Sequence, residues 1–200
     1  MKLIIAITGA SGVIYAKRLI EELNRRNAEI HLVISCTAER IIEHELNMKK
    51  EEIEKLANYT YNVNDWRAPI ISGSFKTDGM VIAPCSMKTL AGIAYGYSDN
   101  IILRAADVML KERRKLILMP RETPLSINHL RNMLWLAKQG VYIVPAMPAF
   151  YHKPNDINDL VNYIVGKILD ILDIEHNLYK RWSLNILNNN YRHQPESIQS

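Results

Sequence analysis

Residues 72–89 read SGSFKTDGMVIAPCSMKT, and the fold is decided there. Gly79 to Ala83 is a short apolar run bounded by turn residues, the pattern of a buried strand. Pro84 is expected to end it. Ser86 then opens a helical pattern in which Met87, Leu90 and Ala91 are apolar, with Ser86 as N-cap. The result is a strand, a tight turn and a helix N-terminus lined with the hydroxyls of Ser86 and Thr89. Backbone N–H groups at such an end are unpaired and carry partial positive charge, so they favour an anion. Ser72, Gly73 and Ser74 form a hydroxyl-rich loop before the strand. Taken alone, the stretch reads equally as an ordinary β–α connection with a capping serine.

Working outward, Leu3 to Ile7 is a continuous apolar run, as in parallel strands buried on both faces. Thr8-Gly9-Ala10-Ser11-Gly12 follows, then a helix to about Arg26 with Val13, Ala16, Ile20 and Leu23 on one face. Ile30 to Ser35 reads as a second strand. Two helices are expected next, from Ala38 to Leu46 and from Lys49 to Ala57, and Tyr59 to Val63 as a third strand. Asn64 to Ser74 is a loop carrying Trp66. After the central strand, Asp99 is expected to cap a helix with Ile102, Ala105, Ala106, Met109 and Leu110 inward. Leu116 to Met119 is a strand followed by Pro-Arg-Glu-Thr-Pro at 120–124. Ser126 caps a helix with Ile127, Leu130, Leu134 and Ala137 on one face, stopped by Gly140. Val141 to Val144 is the sixth strand. A last long helix starts at Asn155 or Asp156, with Ile157, Leu160, Ile164, Ile168 and Leu172 inward.

Strands alternating with helices give an α/β fold: a Rossmann-like, doubly wound, mainly parallel sheet with helices on both faces, in a single domain. Residues 1–175 are expected to form that domain. Residues 176–200 are expected to be a C-terminal extension, whose Tyr179, Trp182, Leu184, Ile186 and Leu187 are too apolar for a free tail and pack at a subunit interface. Ligands in such sheets bind beyond the strand C-termini near the switch point. The polar loops all lie there: Thr8 to Gly12, Ser35, Pro84 to Thr89 and Arg121 to Thr123.

The 200 residues, 48% of them apolar, suit a globular chain. No run is long enough to span a membrane, and Met1 to Ile7 is too short for a signal segment. Cys36 and Cys85 have no metal spacing, so a reduced, cytoplasmic protein is expected. Between Arg104 and Arg121 stand six basic residues and two acidic ones, an excess equal to the whole chain's net charge of +4. A nucleic-acid binder spreads its cations over a face with aromatic residues between them. Clustering in one helix–strand unit fits a small phosphorylated ligand better, although Arg113, Arg114 and Lys115 also fit a solvated helix face.

Gly9-Ala10-Ser11-Gly12 is short of a full dinucleotide fingerprint, but Ser11 offers a hydroxyl and Gly12 lets a ligand approach the backbone. Arg121-Glu122 is either a loop salt bridge or an arginine on a polar ligand beside an acid–base carboxylate. Arg104 and Lys111 are two helical turns apart and share a face. Lysine suits a phosphate as a point charge, and arginine as a fork. Glu45 fits a surface acid, and Trp66 either covers core or faces a cation. Cys85 reads as a small buried apolar residue. The six histidines show no ligand spacing, and no aspartate-rich motif is present to hold Mg²⁺ and a diphosphate.

T-G-A-S-G at 8–12, S-G-S-F-x-T-D-G-M at 72–80, P-C-S-M-K-T-L-A at 84–91, R-A-A-D-V-x-L-K-E-R-R at 104–114, P-R-E-T-P-L at 120–125, P-A-F-Y at 148–151 and R-W at 181–182 together resemble the UbiX/Pad family of flavin prenyltransferases, over residues 3 to 182. The resemblance implies a flavoprotein that joins a dimethylallyl group, from dimethylallyl monophosphate, to N5 and C6 of reduced FMN without metal. It also implies a homo-oligomer, typically dodecameric, with sites at subunit interfaces, handing prenylated FMN to a UbiD-like decarboxylase. By matching motif, Gly9, Ala10, Ser11, Ser35, Ser86, Met87, Lys88, Thr89 and Arg121 would contact FMN. Arg104, Lys111, Tyr151 and Lys167 would hold the prenyl phosphate, the family often having arginine where Lys167 stands. Glu45, Glu122 and Ser11 would serve catalysis, with Trp66 facing the allyl cation. Two other classes remain. One is an FMN-binding accessory subunit of a hydroxyarylic acid decarboxylase complex. The other is a flavin-dependent cysteine decarboxylase, for which a histidine in the first helix is expected; none lies between Ser11 and Arg26.

Overall fold

The computed structural model describes residues 1–183. Six strands form one sheet in the order β3-β2-β1-β4-β5-β6: β1 (Lys2–Ile7), β2 (Glu29–Ile34), β3 (Tyr59–Tyr61), β4 (Gly79–Cys85), β5 (Lys115–Pro120) and β6 (Tyr142–Ile143). Every pairing is parallel. Two-sided burial explains the continuous apolar runs. Leu3, Ile5 and Ile7 feed a core shared with α1 (Val13–Arg25), α2 (Cys36–Leu46), α3 (Lys50–Glu54) and α7 (Ile157–Ile171). Ile4 and Ala6 feed a second core under α4 (Met87–Ala94), α5 (Ile101–Lys111) and α6 (Ile127–Lys138). The winding reverses between β1 and β4, so their C-terminal ends frame the switch point.

Several local expectations are corrected. Pro84 does not end β4 but lies inside it, after a cis Ala83–Pro84 bond and beside a register shift. Proline lacks an N–H, but the strand there uses its carbonyl, which accepts from the backbone and hydroxyl of Thr8 at 3.2 and 2.8 Å. Asn100, not Asp99, caps α5, its side chain accepting from the N–H groups of Ile102 and Leu103. Strand β3 stops at Tyr61, and α3 is shorter than its charged pattern implies. On α6, Ile127, Leu130 and Leu134 face outward, while Asn132 and Leu136 are buried. Ile157, expected inward, is exposed.

The basic cluster divides by role. Arg104 pairs with Asp107 and Lys111 with Glu112. Arg114 donates to the carbonyls of Gly73 and Phe75 and so pins the 72–75 loop to the end of α5. Lys115 pairs with Asp173 and caps α7 through the Ile171 carbonyl. After α7 the chain folds back: His176 and Tyr179 lie over Gly166, where a Cβ would meet their rings at 2.6–2.7 Å. Leu184, Ile186 and Leu187 lie outside the described residues.

Candidate active site

Thr8 closes the switch point. Its hydroxyl donates to the Pro84 carbonyl and accepts from the Ser86 N–H, both at 2.8 Å, tying the ends of β1 and β4 together. Gly9 follows because Thr37 lies against it: a Cβ would sit 2.7 Å from the Thr37 methyl. Two helices then start beside this floor. Ser35 caps α2 by accepting from the Ala38 N–H, and Ser86 caps α4 by accepting from the Thr89 N–H, with the Thr89 hydroxyl 3.0 Å away. Their N-termini direct partial positive charge toward the same space.

That space is a cleft of about 390 Å³, within the range of small-molecule sites. Thr8, Gly9 and Ala10 form its floor, Ser35 and Thr37 one wall, Ser86 to Thr89 another, and Arg121 with Glu122 the far side. Asn100, Ile102 and Leu103 complete it. The Nε of Arg121 is buried with no hydrogen-bond partner among the described residues. A buried guanidinium N–H without an acceptor costs free energy, and an electron-rich ligand atom in the cleft would satisfy it. Glu122 is exposed beside it, its carboxylate accepting from the N–H of Thr123 at 3.2 Å. A glycine floor, two capped helix ends and an orphaned guanidinium donor fit the polar edge and phosphate of FMN.

Of the residues expected at the site, Gly9, Ala10, Ser35, Ser86, Met87, Lys88, Thr89, Arg121 and Glu122 line the cleft. Ser11, Glu45, Trp66, Arg104, Lys111, Tyr151 and Lys167 do not. Ser11 is exposed in the loop after β1, and Trp66 is 50% exposed. Glu45 accepts from the N–H groups of Gly12 and Val13, capping α1. Lys167 lies on α7 and Tyr151 beside it, with Tyr151 edge-on to Tyr163 and Trp182. Burial and the charge of Tyr163 push the Tyr151 hydroxyl up, so it stays a donor at neutral pH. Sequence reasoning missed Thr37, Asn100, Ile102 and Leu103 as lining residues. Asn100 was findable as the better cap of a D-N pair; the other three carry no motif of their own. Among the described residues no three His, Cys, Asp or Glu side chains come together as a metal site, and no helix is long and apolar enough to cross a membrane.

The sequence matches the Flavoprotein family over residues 1–169. It is 55% identical to the flavin prenyltransferase UbiX of Methanocaldococcus jannaschii, over 91% of this chain and 98% of that one. It is 52% identical to the flavin prenyltransferase LpdB of Lactiplantibacillus plantarum, over 90% and 97%. Among solved structures, the dodecameric FMN-dependent UbiX-like decarboxylase from Escherichia coli O157:H7 superposes with a TM-score of 0.90 at 49% identity, covering 92% of this chain and all of that one. The structure of AnUbiX (PadA1) in complex with FMN and dimethylallyl pyrophosphate gives 0.90 at 47% identity, covering 91% and 97%. The peptidyl-cysteine decarboxylase EpiD shares the fold alone, with a TM-score of 0.61 at 19% identity. With a switch-point cleft suited to FMN and half its residues in common with such relatives, the chain belongs to the Flavoprotein family, and within it to the UbiX-like flavin prenyltransferases.

Proposed function

We propose that the chain joins a dimethylallyl group, taken from dimethylallyl monophosphate, to N5 and C6 of reduced FMN. The observation that carries this reading is the orphaned Arg121 Nε in a cleft between the serine-capped ends of α2 and α4. Reduced FMN supplies the electron-rich ring atoms that accept the prenyl carbons. Gly9, Ala10, Ser35, Ser86 to Thr89 and Arg121 hold it, with Ser11 at the loop edge. Arg104, Lys111, Tyr151 and Lys167 hold the prenyl phosphate, and Trp66 offers an aromatic face to the carbon that becomes cationic as the C–O bond breaks. A monophosphate leaves poorly, so cations and a proton on its bridging oxygen replace a metal ion. Glu122 is the proton donor, and Glu45 is the second proton-handling carboxylate.

The prenyl-phosphate residues do not line the cleft of one chain, so a second copy completes the site. The apolar outer face of α6, with Leu130 and Leu134, supports burial between copies, and the Escherichia coli relative is a dodecamer. The 1–175 unit holds the flavin; within the described part of the extension, His176 and Tyr179 pack on α7 of their own chain, and the exposed Trp182 is the apolar group left for such an interface. The product serves a separate UbiD-like decarboxylase in a reducing cytoplasm, in keeping with the free thiols of Cys36 and Cys85.

The test is mass spectrometry of the flavin after incubation with reduced FMN and dimethylallyl monophosphate, with and without EDTA. A flavin heavier by one C5 unit in both samples is expected. FMN bound but unaltered would favour the accessory-subunit reading, and loss of the product in EDTA, restored by Mg²⁺, would overturn metal independence.

A further inference from the structure

Asp170 lies one turn beyond Gly166 on α7 and gathers the residues that follow the helix. Its carboxylate accepts from the Tyr179 hydroxyl at 2.6 Å, from a guanidinium N–H of Arg181 at 2.7 Å and from His176 Nε2 at 3.1 Å. The Lys167 ammonium stands 3.7 Å from the same carboxylate and 3.4 Å from the Tyr179 hydroxyl, and faces the Tyr179 ring. Gly166 gives the two rings room. Further along the same segment, Trp182 meets the Tyr151 ring edge-on at 5.2 Å. Tyr151 also touches Tyr163, which contacts Tyr179 at 5.0 Å. One carboxylate thus ties segment 176–182 to α7, and Lys167 and Tyr151 are fixed against that segment beside Tyr163.

Lysine carries a charge on four rotatable carbons and loses side-chain entropy when a ligand fixes it. Holding its ammonium before the ligand arrives lowers that cost. Burial alone would raise the Asp170 carboxyl, but hydrogen bonds from Arg181 and Tyr179 and the charges of Arg181 and His176 hold it down to about 2, so it is ionised at neutral pH.

We propose that Asp170 is a positioning residue for the prenyl-phosphate end of the site: it fixes segment 176–182 on α7 and thereby sets the ammonium of Lys167 and the ring of Tyr151. The inference rests on the reading of Lys167 and Tyr151 as phosphate ligands. Asp170 itself touches no substrate. Its charge acts through Tyr179 and Arg181.

The experiment compares Asp170→Asn, Gly166→Ala and Lys167→Met in the full chain. Asparagine keeps the shape and an acceptor for Tyr179 but not the charge facing Arg181 and Lys167. Alanine at 166 drives a methyl into the Tyr179 and His176 rings without altering any charge. In both, KM for dimethylallyl monophosphate rises about tenfold with kcat within a factor of about two, the pattern of lost uniform binding. FMN affinity stays unchanged, which shows the fold intact, and trypsin cuts after Lys180 and Arg181 faster than in the parent. Donor KM and cleavage rate at parental values in Asp170→Asn, with KM raised in Lys167→Met, overturn the role of Asp170 alone. An unchanged KM in Lys167→Met overturns the phosphate reading and the inference with it.

Discussion

The carboxylate of Glu45 accepts the backbone N–H of Gly12 at 2.9 Å and of Val13 at 3.2 Å, so the last turn of α2 caps the first turn of α1. Gly12 itself is left-handed, at φ 101°, and contributes no side-chain cap. The start of α1 is therefore neutralised from within the protein, and the ends left for an anion are those of α2 and α4. Glu45→Gln keeps an acceptor, whereas Glu45→Ala removes the cap at a cost of about 0.5–2 kcal/mol. If Glu45 also handles protons, the glutamine variant keeps its melting temperature while turnover falls by about 10²–10⁴. Calorimetry beside single-turnover kinetics separates the roles; full turnover in Glu45→Gln leaves the cap alone.

The fold was legible because two-sided burial writes itself as unbroken apolar runs, as in Leu3 to Ile7 and Gly79 to Ala83. The cleft was legible for the same reason, since the hydroxyls and glycines follow those runs directly. What escaped the sequence depends on tertiary partners. Pro84 stays in β4 because Thr8 uses its carbonyl. The apolar stripe of α6 faces outward because Asn132 and Leu136 are the residues buried instead, with Met133 packed against the second core. The orphaned nitrogen of Arg121 has no signature in sequence at all. Nor has the hub at Asp170, which joins residues spread over 167–181.

Arg121 should govern flavin affinity without supporting the fold. Its Nε makes no bond among the described residues, so Arg121→Met removes an unsatisfied donor and should leave the apo melting temperature unchanged or higher. A hydrogen bond to a charged group is worth about 1.5–3 kcal/mol, so the FMN dissociation constant should rise about ten- to a hundredfold. Titration calorimetry reads this directly. Undiminished affinity would mean that Arg121 points its donors elsewhere once the flavin binds.

His31 gives the protein an acid-sensitive edge. Its ring is buried, stacks on Tyr59 at 4.7 Å, bonds the Tyr61 hydroxyl at 2.8 Å and bonds Glu29, which in turn pairs with Lys2. Burial pushes the imidazole down, outweighing the hydrogen bond and charge of Glu29, which raise it. The folded value therefore lies below the unfolded one, and folding favours the neutral ring. That contribution is complete above about pH 6.5 and is lost as pH falls through the folded value, at no more than about 1.4 kcal/mol per pH unit. Urea unfolding at pH 7.5 and 5 should show a larger fall in the parent than in His31→Phe, which keeps the stack but cannot titrate. Parallel curves would assign the acid sensitivity to other groups.

Glu122 follows the buried Pro120 and the cleft-lining Arg121, and among the described residues its carboxylate bonds only the N–H of Thr123 next door. That local bond fixes one oxygen beside the cleft, and the side chain is otherwise exposed. Glu122→Gln preserves size and the bond to Thr123 but cannot deliver a proton. Flavin affinity should persist while turnover with the monophosphate falls by about 10²–10⁴. The size of the loss should track the leaving group: a diphosphate needs less help from an acid, so the variant should recover part of its rate with dimethylallyl diphosphate relative to the parent. Rapid-quench measurement of phosphate release from the monophosphate and of diphosphate release from the diphosphate tests this. Equal losses with the two donors would place the proton transfer at the ring rather than at the phosphate, and unchanged release with both would reduce Glu122 to holding its own turn.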